Sequence, residues 1–451
     1  MGDTPAILAL DQGTTNTKAL LVGIDGAVLG AGSVPTGVVH PRPGWAEQSA
    51  QGIADSVAAA IAQAIAQANA TAPGPVDIRA IGISNQRESV IAWDGADGTA
   101  IGPCVLWQCR RSAPLCATLR EAGHAGQIEA LSGLGLDPLF SAGKLRWLLD
   151  NSEGAGALLE AGRLRVGTVD SWLIWHLTGG ETHATDASNA ARTQLLDIEA
   201  CAWSPRLLAL FGIPAGILPQ VRASDALFGH TSGGFAGLPA GIPIHAVMGD
   251  SHAALFGHAI TRPGWVKVTM GTGSSLMCPT AGRAVSRHGL SSTIAWARES
   301  GGPVHALEGN ITVSGQTAAF TAELLGLGGP QALSDLAASV PDSDGVYLVP
   351  ALAGLGAPHW QEQARGIICG MSLGTRPAHV ARAALEGIAH QIADVIAAIE
   401  ADLGAPLEAI CVDGNAARND LLLQMLADLS GRPVERRTQT ELSALGVAIM
   451  A

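Results

Sequence analysis

Two short apolar strands in this chain each run straight into a turn built from glycine, threonine and serine. Ile7 to Leu10 feeds DQGTT at 11–15, and Val266 to Met270 feeds MGTGSS at 270–275. Runs this short, bounded by turn residues, read as strands buried on both faces. A turn made of such small residues exposes backbone N–H groups and hydroxyls that can cradle an anion, with Lys18 within reach as a point charge. A lone DxGT reads equally well as an Asx-type turn; its recurrence in the second half is what favours the anion reading.

The rest of the chain fits around these turns. Asp25-Gly26 is a hairpin signal between Ala19–Val22 and the strand at 27–29. Ile53, Val57, Ile61 and Ile65 at steps of four put one apolar stripe on a helix. Ile78 to Ser84, Val90 to Trp93 and Ile242 to Met248 read as further strands, and helices dominate from 112 to 210, where Trp147, Trp172 and Trp175 read as core. Leu385, Ile388, Ile392, Val395 and Ile399 predict a long helix over 378–403, stopped by Gly404. Leu407 to Val412 is then a strand entering DGNAARN. Strands feeding glycine turns and amphipathic helices, twice over, predict two α/β domains with a cleft between them, divided near GHAITRPG at 257–264.

Composition narrows the class. With 451 residues the chain can hold two or three cores. Its net charge of −13, with lysine only at 18, 144 and 267, argues against a nucleic-acid or anionic-membrane surface. No apolar stretch reaches the roughly 18 to 20 residues of a membrane span. The start MGDTPAILALDQG lacks a basic leader, and seven cysteines without a CxxC pair fit a reduced, cytoplasmic setting. No Cys/His spacing predicts a structural zinc, and no GxxxxGK[ST] or GxGxxG occurs.

Ten segments in order carry a resemblance that spans nearly the whole chain. Among them are LDQGTTNTK (10–18), ISNQRES (83–89), VLWQCRR (105–111), DPLFSAGKLRWLLDN (137–151), MGDSHAALFG (248–257), LAGLGAPHWQEQARG (352–366) and VDGNAARNDLLLQMLADLSGRPV (412–434). On these the chain resembles the FGGY carbohydrate kinases, and among them glycerol kinases. The resemblance implies an α/β, two-domain actin-like ATPase (ribonuclease H-like) fold with a catalytic cleft between domains. Residues 1–256 would form the N-terminal domain and 257–451 the C-terminal one, with family members usually continuing past ALGVAIMA. It implies ATP and Mg²⁺ as cofactors, a small polyol or sugar as acceptor, and no integral membrane contact. Oligomeric state, including a homo-oligomer, is left open.

By the same resemblance Asp250 is the catalytic base: a carboxylate at the end of a buried strand can take the proton of an attacking hydroxyl. As a residue type in this place it reads equally well as a helix cap. Asp11 would hold Mg²⁺ through water. Thr14, Thr15 and Lys18 would meet phosphate from one domain, and Gly271 and Thr272 from the other. Gly315, Gly414, Asn415 and Asn419 would line the nucleotide pocket, Asn415 standing where glycerol kinases have a second glycine. Arg87 and Glu88 would grip vicinal hydroxyls, one donating and one accepting, against an apolar wall from Trp107, with Ser251 beside the base. As a dipeptide alone, Arg87-Glu88 reads as a surface ion pair.

Three positions depart from the glycerol kinase pattern. Leu139 stands for tyrosine in DPYFS, Ser251 for the glutamine after the base, and Ser275 for the aromatic after the GTG turn. Each loses bulk or a hydrogen bond, so a longer polyol or a ketose becomes an alternative acceptor. Cys109 replaces the aspartate frequent in WQDRR. Two rival classes remain. GMSLG at 370–374 formally fits the nucleophile elbow of α/β-hydrolases, though Gly374 to Pro377 separates it from any helix. A non-catalytic actin-like ATP-binding protein is permitted by the fold but opposed by Asp250, Arg87 and Glu88 occurring together.

Overall fold

The computed structural model describes residues 4–71, 74–437, 439 and 441–451. The chain divides into two compact units. Unit 1 comprises Met1–Gly257, Thr293–Val304 and Glu441–Ala451; unit 2 comprises His258–Ser292 and His305–Thr440. A single cut after residue 256 therefore omits two returns of the chain to unit 1. One is the tip of the hairpin formed by Ser291–Arg298 and Gly302–Ile311; the other is the final helix, Leu442–Met450.

Unit 1 is built on a five-stranded sheet in the order Ile244–Gly249, Val76–Asn85, Thr4–Gln12, Asn16–Gly23, Val28–Pro35. The first three strands are parallel and the last two antiparallel, so the opening hairpin pattern holds. The helix Ala50–Thr71 buries Ile53, Val57 and Ile61 together with Ala60, Ala64 and Ala68. Those alanines let it lie almost on the backbone of Val28–Pro35: a Cβ at Gly32 would stand 2.0 Å from the Ala60 carbonyl oxygen. A smaller sheet carries Val90–Asp94 and Leu164–Thr168, and Trp93 meets Trp172 and Trp175 edge to face beneath it. Trp172 and Trp175 are core, as the sequence predicts, whereas Trp147 is only partly buried and packs edge to face on Trp45.

The sheet that unit 2 builds on runs Ser291–Arg298, Gly302–Ile311, Ser274–Pro279, Trp265–Met270, Ala409–Asp413, Val434–Arg436. The last three strands are parallel. Pro377–Leu403 packs on it through Leu385, Ile388, Ile392, Val395 and Ile399, and ends at Gly404 in the left-handed region, φ 66°. Two expectations are corrected here. The turn after Met270 closes at Gly273; Ser274 and Ser275 already belong to the next strand, paired with Ile311 and Asn310. Ser372 lies in an exposed loop between Ile367–Cys369 and the helix at Pro377, with no strand-to-helix elbow, so the hydrolase geometry is missing.

Candidate functional site

In unit 1 the parallel register sets Asp11, Ser84 and Met248 side by side at the carboxyl ends of three strands. Ligands of open α/β sheets bind beyond such ends. The Ser84 hydroxyl donates to Asp11 Oδ1 at 2.8 Å. Burial, and then the negative charge of Asp250, push the Asp11 carboxyl up to about 6. Asp250 follows the strand Ile244–Gly249 immediately and opens the helix Asp250–Gly257. Its Oδ1 accepts from the Ser251 amide at 2.6 Å and lies 3.2 Å from Arg87 Nε. The helix-start reading and the charged-site reading of Asp250 thus both describe the same side chain, which is still about a third exposed (37%).

Arg87 and Glu88 follow the strand Val76–Asn85 and are both buried, which excludes a surface ion pair. They are not each other's salt-bridge partner: Arg87 turns to Asp250, and Glu88 Oε1 accepts from Arg192 Nε at 2.6 Å. The Ser89 amide closes onto the Arg87 carbonyl at 2.7 Å with Glu88 at φ 60° between them. A three-residue turn with a non-glycine at positive φ is a strained conformation of the kind that collects at working sites. Gly249 makes room for this arrangement, because a Cβ there would stand 2.6 Å from both Cγ and Cδ of Arg87.

The first glycine turn is held by amides. Gln86 Nε2 donates to Gln12 and Gln48, and Gln48 Nε2 donates to the Thr14 carbonyl. The Thr14 hydroxyl accepts from the Trp107 indole at 2.9 Å and donates to Gln86, so it positions Trp107 instead of standing open to an anion. Thr15 is exposed. Lys18 is bound to Glu441 at 2.6 Å. Cys109 is buried and accepts from Arg111, whose guanidinium is sandwiched between Trp45 and Trp147. Leu139 is half-buried in a loop whose carbonyls at Pro138, Leu139 and Phe140 are all bound by the buried Lys144.

In unit 2 four of the expected nucleotide positions converge. The Gly315 amide donates to the Gly271 carbonyl at 3.0 Å, and the Ser314 and Gln316 amides donate to that of Thr272. A Cβ at Gly315 would lie 2.4 Å from the Gly271 oxygen, and one at Gly414, φ 91°, 2.5 Å from the Met270 oxygen. Glycine is required at both by backbone approach. Thr272 and Asn415 are exposed beside them. Asn419 stands apart in role: its Oδ1 caps the helix Asp420–Ser430 and its Nδ2 donates to Ser334. Ser275 Oγ donates to the buried Glu308 at 3.3 Å.

Sequence reasoning did not find Arg192, Glu441, Ser84 or the three glutamines. Gln12 lies in the segment 10–18, and Ser84 and Gln86 in 83–89, but Gln48, Arg192 and Glu441 are brought in only by folding.

Residues 6–257 match the N-terminal domain, and residues 266–451 the C-terminal domain, of the FGGY family of carbohydrate kinases. The chain belongs to that family. This FGGY kinase is 46% identical over 447 residues to a glycerol kinase of Aromatoleum aromaticum, covering 99% of this chain and 89% of the relative. It is equally, 46%, identical over 448 residues to an apulose kinase of Pectobacterium atrosepticum, with the same coverage of each chain. The crystal structure of Plasmodium falciparum glycerol kinase with ADP superposes with a TM-score of 0.94 at 30% identity, covering 100% of this chain and 90% of that one. The FGGY kinase is an ATP-dependent phosphotransferase with an alcohol group as acceptor. Among its described residues no helix is long and apolar enough to cross a membrane.

Proposed function

We propose that this FGGY kinase transfers the γ-phosphate of ATP to a hydroxyl of a small polyol or ketose, with Asp250 as general base. The observation that carries the reading is the Arg87 to Asp250 approach of 3.2 Å at the ends of buried parallel strands. Arg87 aims the carboxylate, while Asp250 keeps enough exposure to meet an incoming hydroxyl and take its proton. Glu88 accepts from a second hydroxyl of the acceptor, and the indole of Trp107, pinned by Thr14, supplies an apolar wall.

Asp11 fits a cation. Its carboxyl is raised by burial and by a neighbouring carboxylate, a repulsion that a divalent ion relieves. Mg²⁺ keeps much of its own hydration shell, so Asp11 would hold it together with water and phosphate oxygens. When bound, Mg²⁺ neutralises charge on the phosphate oxygens. The backbone of Gly271, Thr272, Gly315 and Gly414, with Asn415, receives the nucleotide. The acidic balance and the seven cysteines without a CxxC pair support a cytoplasmic setting and argue against a nucleic-acid partner.

A second reading, a longer ketose or sugar alcohol as acceptor, is favoured by Leu139, Ser251 and Ser275, and identity to glycerol and apulose kinases does not separate the two. One assay addresses both: ATP consumption with glycerol, tetritols, pentitols, pentuloses and hexuloses. Turnover that ignores the acceptor would sink the proposal. With the best acceptor, Asp250→Asn should lose about 100-fold or more in kcat, the scale of general-base catalysis; near-normal turnover would remove Asp250 as base.

A further inference from the structure

We propose that Arg192 is the positioning residue of the acceptor site, fixing Glu88 so that one carboxylate oxygen faces the substrate. The inference rests on the reading of Glu88 as an acceptor-binding group. It starts from a buried ion pair: Arg192 and Glu88 side chains are 0% and 6% exposed and meet at 2.6 Å. Taking two charges out of water is costly, and such pairs are retained where they fix a geometry.

Three further contacts show what is being fixed. The Arg192 guanidinium lies over the Phe140 ring, 5.0 Å from its centroid, and next along the chain the Ser141 hydroxyl donates to the Glu88 carbonyl. The strained turn at Glu88 is therefore held at its side chain by Arg192 and at its backbone by the residue following the ring on which Arg192 rests. On the other side, Asn189 exchanges reciprocal amide hydrogen bonds with Asn85, both at 3.0 Å, and the Ser188 hydroxyl accepts from the Gly249 amide at 3.0 Å. The segment 186–192 thus braces the strand end that leads to Arg87 and Glu88 and the strand end that leads to Asp250. Asp186 anchors it by accepting from the amides of Ser188 and Asn189 and the hydroxyl of Ser224.

Because Arg192 occupies Oε1, Oε2 is left to accept from a hydroxyl. A planar guanidinium held between a carboxylate and an aromatic face fixes direction in a way a flexible ammonium does not.

The test is a kinetic cycle with the best acceptor among glycerol, erythritol, xylitol and xylulose. Arg192→Met should raise the acceptor KM about 10- to 100-fold, the cost of losing a charge-assisted hydrogen bond, and leave the ATP KM within about twofold. Arg192→Lys should fall between it and the parent with little change in Tm, and it carries the test alone if Arg192→Met does not fold. Glu88→Gln should raise the acceptor KM similarly, and Arg192→Met with Glu88→Gln should be no worse than Glu88→Gln, since the two act as a unit. A raised acceptor KM in Glu88→Gln beside an unchanged one in the Arg192 variants overturns the inference alone. Equal rises in both KM values with a fall in Tm, or additive effects in the double variant, also overturn it, as a merely structural arginine. An unchanged acceptor KM in Glu88→Gln removes the acceptor-site reading and the inference with it.

Discussion

Lys18 of the first glycine turn donates to Glu441 at 2.6 Å, across 423 positions of sequence. The cation placed best for phosphate is thus already matched by a carboxylate at the start of the final helix. Both side chains are about a third exposed, 35% and 31%, and a pair so placed contributes about 1 kcal/mol or less. A triphosphate, with more charge than one carboxylate, can displace Glu441 from the lysine. Glu441→Gln is expected to lower the ATP KM by about two- to fivefold, and Lys18→Ala to raise it by about tenfold, the scale of gaining or losing one partly screened contact. Initial rates at saturating acceptor measure both. If neither variant moves the ATP KM, the pair serves only to tie the last helix to the strand Asn16–Gly23.

Gly249 should be intolerant of even one methyl group. Its added Cβ would meet the middle of the Arg87 stem at 2.6 Å and His252 Nδ1 at 2.9 Å, with no room for the stem to stay. Gly249→Ala is therefore expected to rotate Arg87 away from Asp250 and raise the acceptor KM about tenfold or more, while overpacking costs about 1 to 3 kcal/mol of stability. Parallel measurements of Tm and of the two KM values check this. A variant with normal acceptor KM and a crystal structure showing Arg87 unmoved would refute it.

What the sequence reveals follows from how local the deciding physics is. The strands at 7–10 and 266–270 and the helix over 378–403 are legible because burial writes periods of one, two or three to four residues directly into the chain. Gly404 is legible as a stop because only a residue tolerant of positive φ fits there. Ser274 and Ser275 mislead, because serine reads as turn while cross-strand pairing with Ile311 and Asn310 decides. Asp11, Arg87, Glu88 and Asp250 are each visible in a motif, but their pairing is not. Arg192 lies 104 positions from Glu88, and no local pattern marks an arginine that will be fully buried. Thr14 and Asn419 have the residue types of ligand contacts, yet their side chains are taken up by Trp107 and by a helix cap.

Leu139 offers a clean test of acceptor preference. Lys144 binds the carbonyls on both sides of it as well as its own, so a substitution at 139 changes the side chain while the loop stays fixed. Leu139→Tyr adds a hydroxyl donor where glycerol kinases carry one, and the ratio of kcat/KM for glycerol over xylulose is expected to rise about tenfold, the worth of one well-placed polar contact. Competition assays with both acceptors read the ratio directly. An unchanged ratio would mean that the side chain at 139 does not reach the acceptor.

Asp170 makes stability depend on pH in a direction opposite to ordinary acid denaturation. It is fully buried in the first turn of the helix Val169–Leu177, and receives hydroxyl hydrogen bonds from Thr168 and Thr185. Burial first, and then the charge of Asp186, push its carboxyl up from 3.8 to about 6. The folded state therefore holds more protons than the unfolded chain between these values. The resulting stabilisation is complete below about pH 4 and is lost as pH rises through about 6, a swing of about 3 kcal/mol for two units. His183, kept neutral by burial with its pKa pushed down to about 4, slopes the other way, so the parent curve alone does not isolate Asp170. The difference between parent and Asp170→Asn does: relative to the parent, the variant should gain about 3 to 5 °C in Tm between pH 4 and pH 7, because its amide stays neutral throughout. Calorimetry across that range would contradict the assignment if the two Tm curves ran parallel.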